Sequence, residues 1–467
     1  MKRWGAVGIS SNGARITTVA CHAVFLLALI LVDCRPASAL PAFARKYGMP
    51  CSACHEAWPM LSPFGQQFKD NGFQMGNDRD APIFQQAAYW PATFRITPYW
   101  HRESTSAAPV DGPTVEGTPT ASQAKITTNG FDWSGLDFHT GGTLAKNYSF
   151  YVLPSSDSSG NFHFESVWAR IDNIFGSSWL NIKMGKFELD NLLSEKRILT
   201  LTNVAGTYTN YHFQPLSEGY PSAPFYTFGI GDNQDGLEWM GHSKDDRTRV
   251  SATLISQNEG NPGLPTGNQY GGYFAASQAF EIGSLGLQRV GGFAFIGAEP
   301  TYYQYTSGGA PVAGTAVGSK PIERVGLIGQ WYIKKFDITT IFFHSSDNAY
   351  LGTMTPANMP LPAGARSPVW NGGLFESHYM FNPQIILINR YELVRMSQQA
   401  LPSYAGNYGN IDVLTFGMRY YPFISSRAGF AYHAEYAIEW QKGSAPVPSI
   451  NPNVTTSSLL FGFDFAF

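Results

Sequence analysis

The sequence predicts an all-β fold, a transmembrane outer-membrane β-barrel of about sixteen antiparallel strands preceded by one short helical segment. Three observations predict it. Charged residues make up 14% of the 467 residues and aromatics 15%, whereas an ordinary soluble domain carries roughly 25% charge; the chain is short of charge for a surface facing water. From residue 91 onward, short segments of alternating apolar and polar residues are separated by turns rich in Gly, Pro, Asn and Ser, the signature of successive strands. Finally, every second residue back from Phe467, through Phe465, Phe463 and Phe461 to Leu459, is large and apolar, as a lipid-facing strand requires. The net charge of −3 and the lack of a Lys/Arg stripe give a nucleic-acid partner no electrostatic support.

The elements follow in chain order. Lys2, Arg3 and Arg15 lead into the apolar run from Ala23 to Val32, and Ala37-Ser38-Ala39 precedes Leu40, the pattern of an export signal covering 1–39. The run is shorter than the roughly 20 residues of a spanning helix and stops at Asp33. Asp33 also disfavours lipid attachment at Cys34, since a small uncharged residue is wanted there. Removing this segment removes Cys21 and Cys34, leaving Cys51 and Cys54 as the only cysteines and no disulfide framework.

Residues 40–90 form the second unit. Cys51-Ser52-Ala53-Cys54-His55 is the attachment pattern of one covalent haem c: two thiols at this spacing meet the two vinyl groups of a porphyrin, and His55 then lies beneath the iron as proximal ligand. A thioredoxin-like pair needs a surrounding βαβ pattern, which is absent, and a tetrahedral zinc site needs a second pair of ligands, for which no cysteine remains. After the motif, Ser62 is placed to cap a short helix, Pro63 to occupy its first position and Gly72 to end it. Leu61, Phe64 and Phe68 then share one face, which with Trp58 is available to cover a haem edge. For the sixth ligand Met60 is the first candidate and Met75 the second, a thioether raising the reduction potential; His101 is the alternative and would lower it.

Residues 91–467 supply the barrel. Phe430, Tyr432, Ala434, Tyr436, Ile438 and Trp440 alternate with Ala431, His433, Glu435, Ala437 and Glu439; Leu414 to Tyr420 and Leu180 to Met184 repeat the pattern. Trp331, Tyr420, Tyr421 and Trp440 at strand ends suit an interfacial girdle. Segments 102–130 and 345–373, rich in Ser, Ala, Pro and Gly, read as long loops, and Asp232, Asp235, Asp245 and Asp246 as turn residues. A soluble β-sandwich would expose large apolar patches to water.

At Pro41-Ala42-Phe43-Ala44-Arg45, the haem motif, and Pro59-x-Leu61-x-x-Phe64-Gly65-x-x-Phe68, the chain resembles the fused monohaem cytochrome–porins of iron-oxidising bacteria. The resemblance covers about thirty residues at the level of motifs and the rest only in architecture. It implies an N-terminal c-type haem plug in an outer-membrane barrel, extracellular Fe(II) as donor, a periplasmic electron carrier such as a soluble cytochrome c as acceptor, and an iron:cytochrome oxidoreductase activity. Cys51, Cys54 and His55 carry over; no distal ligand does. Two other functions compete: a passive porin in which the haem is only a structural staple, and a periplasmic haem sensor, which the C-terminal strand and the low charge disfavour. His433, Glu435, Glu439, Asp137 and His139 are the wall residues suited by type to handle ferrous iron, although such groups also simply wet a barrel interior.

Overall fold

In the computed structural model, the described residues are 43, 47, 49, 51–57, 60–75, 92–109, 123–156, 159–189, 233–256, 270–300, 303–305, 311–313, 319–346, 367, 369–398, 410–424, 429–442 and 453–466. The export signal, Trp58 and Phe467 lie outside them, as do the side chains of Cys51 and Met60.

Before the barrel come helix α1 (Cys51–Cys54), strands β1 (His55–Ala57) and β2 (Met60–Leu61), and helix α2 (Pro63–Asp70). The wall then begins with β3 (Ala92–Pro109), β4 (Gln123–Ala145), β5 (Tyr148–Ser156), β6 (Phe162–Ile171) and β7 (Asn181–Glu188). It continues through β8 (Asn233–His242), β9 (Thr248–Ser256), β10 (Tyr270–Glu281) and β11 (Leu287–Pro300); a small hairpin, β12 (Tyr303–Tyr305) with β13 (Pro311–Ala313), stands outside the ladder. The wall is completed by β14 (Ser319–Ile333), β15 (Phe336–Ser346), β16 (Val369–Asn382), β17 (Ile385–Gln398), β18 (Asn410–Ile424), β19 (Gly429–Lys442) and β20 (Val454–Ala466). Sixteen strands form one closed barrel in which each pairs antiparallel with the next and β20 returns to pair with β3, so no sheet edge is left open in the wall. Phe461 meets Trp100 across this closing seam, rings stacked at 6.2 Å.

Alternation decides which side chains meet lipid. Within β15, Phe342 is 63% exposed while its neighbours Ile341 and Phe343 are 0% and 5% exposed, because successive residues of a strand point to opposite faces. The same holds for Tyr432 and Tyr436 against His433 and Glu435, and for Ile182 and Met184 against Asn181 and Lys183. Connections alternate too. Turns such as Ala145 to Tyr148, Ile333 to Phe336 and Asn382 to Ile385 are tight, while those on the opposite rim, such as 109 to 123 and 346 to 369, are long. Short periplasmic turns and long extracellular loops are the ordinary pattern of outer-membrane barrels.

Three expectations need correcting. Residues 102–109 and 123–130 are not loop but continue β3 and β4, and 345–346 and 369–373 likewise belong to β15 and β16. Hydroxyl pairs extend the ladder beyond the apolar belt, as Ser104 with Thr127 at 2.9 Å and Thr105 with Thr456 at 3.2 Å. Asp235 is a ladder residue of β8 opposite Lys186, whereas Asp245 and Asp246 do occupy a turn, Asp246 with φ +58°. Tyr420 stacks outward on Tyr432, but Tyr421 turns inward against Ile386, Ile388 and Ala431, because the ladder slips at a bulge between Tyr420 and Phe423.

Candidate functional site: the haem-motif plug and the wall that holds it

The motif is built into a compact turn by its own backbone. After α1, β1 folds back on β2 with His55 opposite Leu61. This delivers Ser62 to the C-terminal end of α1, where carbonyls lack helical partners. The Ser62 amide donates to the Cys54 carbonyl and its hydroxyl to the Ala53 carbonyl, both at 2.9 Å. The same hydroxyl accepts from the Gly65 amide at 3.1 Å, so Ser62 caps α2 as expected while closing α1. Gly65 completes the join: a Cβ there would lie 1.9 Å from the Cys54 carbonyl oxygen, and glycine alone lets α2 rest directly on the motif. The Cys54 thiol is half-buried, and burial pushes its pKa up.

At its other end α2 closes in a Schellman arrangement. The Gly72 amide donates to the Lys69 carbonyl at 3.0 Å and the Phe73 amide to the Phe68 carbonyl at 2.9 Å, with Gly72 at φ +69°. This bond pair brings a residue beyond the helix onto one in its last turns, here the Phe73 ring to 6.0 Å from Phe68. Both then find the inner barrel wall. Phe73 stacks on Trp168 of β6 at 5.8 Å, and Phe68 is buried with Phe187 of β7 in the same cluster. Lys69 forms an ion pair of 2.8 Å with Glu188. Arg170, held by Asp172, donates to the Lys69 carbonyl at 3.3 Å, a cation where the helix dipole is negative. The plug is thereby fixed to inward-facing residues along β6 and β7, from Arg170 near the rim of tight turns to Glu188 at the far end of β7.

The expected apolar face of α2 is divided. Leu61 and Phe64 border a cavity of about 250 Å³ between the plug and the opposite wall, together with Arg249, Arg289, Tyr332, Leu374 and Glu376. Phe68 faces the other way, because Phe73 draws it into the aromatic cluster on the wall. Met75 is half-buried against that same cluster, away from the cavity, and His101 lies on β3 opposite Leu460 at the seam. Of the motif's described side chains, Cys54 and His55 are not among the residues lining this cavity; its apolar side is Leu61, Phe64 and Leu374, while Arg249 is paired with Asp246 and Arg289 donates to the Ser277 hydroxyl and the Asp246 carbonyl.

The wall residues suited to ferrous iron are brought into separate contacts rather than one cage. His433 Nδ1 is 3.6 Å from Asp464, Asp137 pairs with Arg95 at 3.4 Å, and His139 Nδ1 lies 2.6 Å from the Tyr151 hydroxyl. Among the described residues no three His, Cys, Asp or Glu side chains converge in a metal-binding group. Further round the wall, inward-facing Ile255, Tyr273, Phe295, Ile328, Trp370 and Val413 join one buried apolar cluster spanning β9 to β18. Sequence reasoning missed Gly65, Arg170, Glu188 and Trp168. Only Gly65 carried a local signal, a glycine inside a helix, which calls for a packing reason.

No protein-family model matches the chain, and no curated protein does. Among solved structures it is similar to the outer membrane channel DcaP of Acinetobacter baumannii, with TM-score 0.47 and 8% identity over 80% of this chain and 97% of that one. The anion-selective porin from Comamonas acidovorans gives TM-score 0.47 and 11% identity over 80% and 98%. OprB of Pseudomonas putida gives TM-score 0.45 and 9% identity over 79% and 94%. The transmembrane, porin-like barrel follows from the closed ladder and its apolar outer face.

Proposed function

We propose that this protein is an outer-membrane electron conduit, a monohaem cytochrome–porin that passes electrons from extracellular Fe(II) to a periplasmic carrier. The observation that carries the reading is the plug: a haem-attachment turn braced by Ser62 and Gly65 and clamped to the inside of a closed barrel through Lys69, Arg170 and Phe73. Cys51 and Cys54 would hold the haem covalently and His55 would ligate its iron, which supplies a one-electron acceptor matched to the one-electron couple of iron. Leu61 and Phe64 present apolar surface to the cavity, and an apolar setting disfavours the more highly charged ferric state, raising the potential. The buried apolar cluster on the inner wall supports a conduit over a passive porin, whose lumen is polar and water-filled.

Oxidised full-length protein, folded in detergent and mixed anaerobically with ferrous iron in a stopped-flow cell, is expected to show reduction in its haem spectrum. Reduction by dithionite alone would remove the iron reading. A haem stain that persists on denaturing gels in the Cys51→Ser/Cys54→Ser protein would remove the covalent haem.

A further inference from the structure

Beside the plug, the inner wall holds an arrangement that packing alone does not require. Tyr151 on β5 pairs with Trp168 on β6, ring centroids 5.9 Å apart, and with Gly141 on β4 on its other side. A Cβ at Gly141 would lie 2.7 Å from the Tyr151 ring, so the missing side chain leaves the phenol room to lie across β4. There its hydroxyl is 2.6 Å from Nδ1 of His139. In the other direction Trp168 stacks on Phe73 at 5.8 Å, and Phe73 lies 6.0 Å from Phe68 on α2. From His139 to the helix that touches the haem motif, no step between ring centroids exceeds 6.2 Å. A phenylalanine at 151 would fill the same space; the hydroxyl aimed at an imidazole is what needs explaining.

Indole and phenol are the side chains that most readily give up a single electron from a ring. A phenol does so more easily when a base accepts its proton in the same event, and imidazole is the base suited to that near neutral pH. We infer that Tyr151 and His139 form a proton-coupled one-electron donor, and that with Trp168 they are a relay draining oxidising equivalents from the plug into the barrel wall. The oxidant is hydrogen peroxide, whose O–O bond would be reduced to two waters at the plug haem with two protons from solvent and two electrons, supplied one at a time in two passes of the relay, so the relay rests on the haem reading. One electron leaves the Trp168 indole for the oxidised plug. Tyr151 then returns one electron to Trp168 while its hydroxyl proton passes to His139, leaving a neutral phenoxyl radical and an imidazolium. A one-electron reductant such as ferrous iron restores the phenolate oxygen, and His139 gives the proton back. Lys183, 6.0 Å from the Trp168 ring, is paired with Glu238 and brings no net charge to the indole.

The test uses haem-loaded, full-length protein in detergent, with each variant first shown to keep its heat-dependent gel shift. Wild type mixed with peroxide and freeze-quenched should give a phenoxyl signal in electron paramagnetic resonance. Tyr151→Phe should lose it, and His139→Asn should slow its appearance and abolish its solvent deuterium isotope effect. Under repeated peroxide the Soret band of Tyr151→Phe should bleach several-fold faster than wild type. A radical signal unchanged in Tyr151→Phe, or equal bleaching, overturns the relay. Protein without a covalent Soret chromophore overturns the haem reading instead, and photo-oxidation by tris(bipyridyl)ruthenium then decides the pair alone: a Tyr151-dependent phenoxyl signal keeps it, and its absence removes it.

Discussion

A hydrogen atom in place of a methyl group sets the geometry at the haem motif. Gly65 sits inside α2, where glycine costs roughly 0.5–1 kcal/mol relative to alanine, and that cost is accepted because a Cβ would fall 1.9 Å from the Cys54 carbonyl oxygen. Forcing atoms into such a contact typically costs about 1–3 kcal/mol. Gly65→Ala should therefore leave the barrel's heat-dependent gel shift intact while amide exchange across 62–70 quickens by about tenfold or more; unchanged exchange would show that the contact is not tight. Ser62, Pro63 and Gly72 were readable from the sequence because a cap acts on residues next to it. Gly65 answers to a carbonyl on another element, and a glycine inside a helix signals only that something packs close; Tyr151 answers to an imidazole on another strand and shows nothing in local pattern.

At the scale of elements, α2 is too short to persist alone in water and draws its order from the wall. Phe73 is its principal contact, stacked on Phe43 at 4.9 Å as well as on Trp168. Truncating a buried phenylalanine costs about 3–5 kcal/mol, so Phe73→Ala should make α2 accessible to added protease in the folded barrel, with the wall still resistant. Cleavage no faster than wild type would mean that the Lys69–Glu188 and Arg170 contacts hold the plug without it. The strands themselves were legible wherever one face is apolar. They were missed where both faces carry Ser and Thr, as beyond Arg102, since a hydroxyl-rich strand and a loop have the same composition; only the paired ladder, with Ser104 against Thr127, tells them apart.

For the whole molecule, sixteen strands and closure were legible because alternation, turn signals and the terminal strand all pointed the same way. The dry part of the interior was not. Inward positions were expected to be polar, yet Ile341, Tyr273, Phe295 and Val413 are each 0% exposed and belong to one buried cluster drawn from many strands, a grouping that no single strand reveals. An apolar stretch resists wetting and so blocks ions. In planar bilayers the protein should conduct about tenfold less than an open porin of equal strand number, and an equal conductance would favour the passive-porin reading.

The seam between β20 and β3 has its own clasp. Asp464 accepts from Arg95 and Thr97 of β3, both at 3.0 Å, and from Arg419 of β18 at 2.8 Å, tying one carboxylate to strands from both ends of the barrel's sequence. The clasp also keeps time. β20 follows the Cys51–His55 motif and every other wall strand in chain order, so the proposed haem would meet its cysteines while the wall is still open. When Asp464 then meets Arg95, the wall would close around a segment already loaded with the proposed haem, much as a barrel is hooped only after its staves are set around what must stay inside.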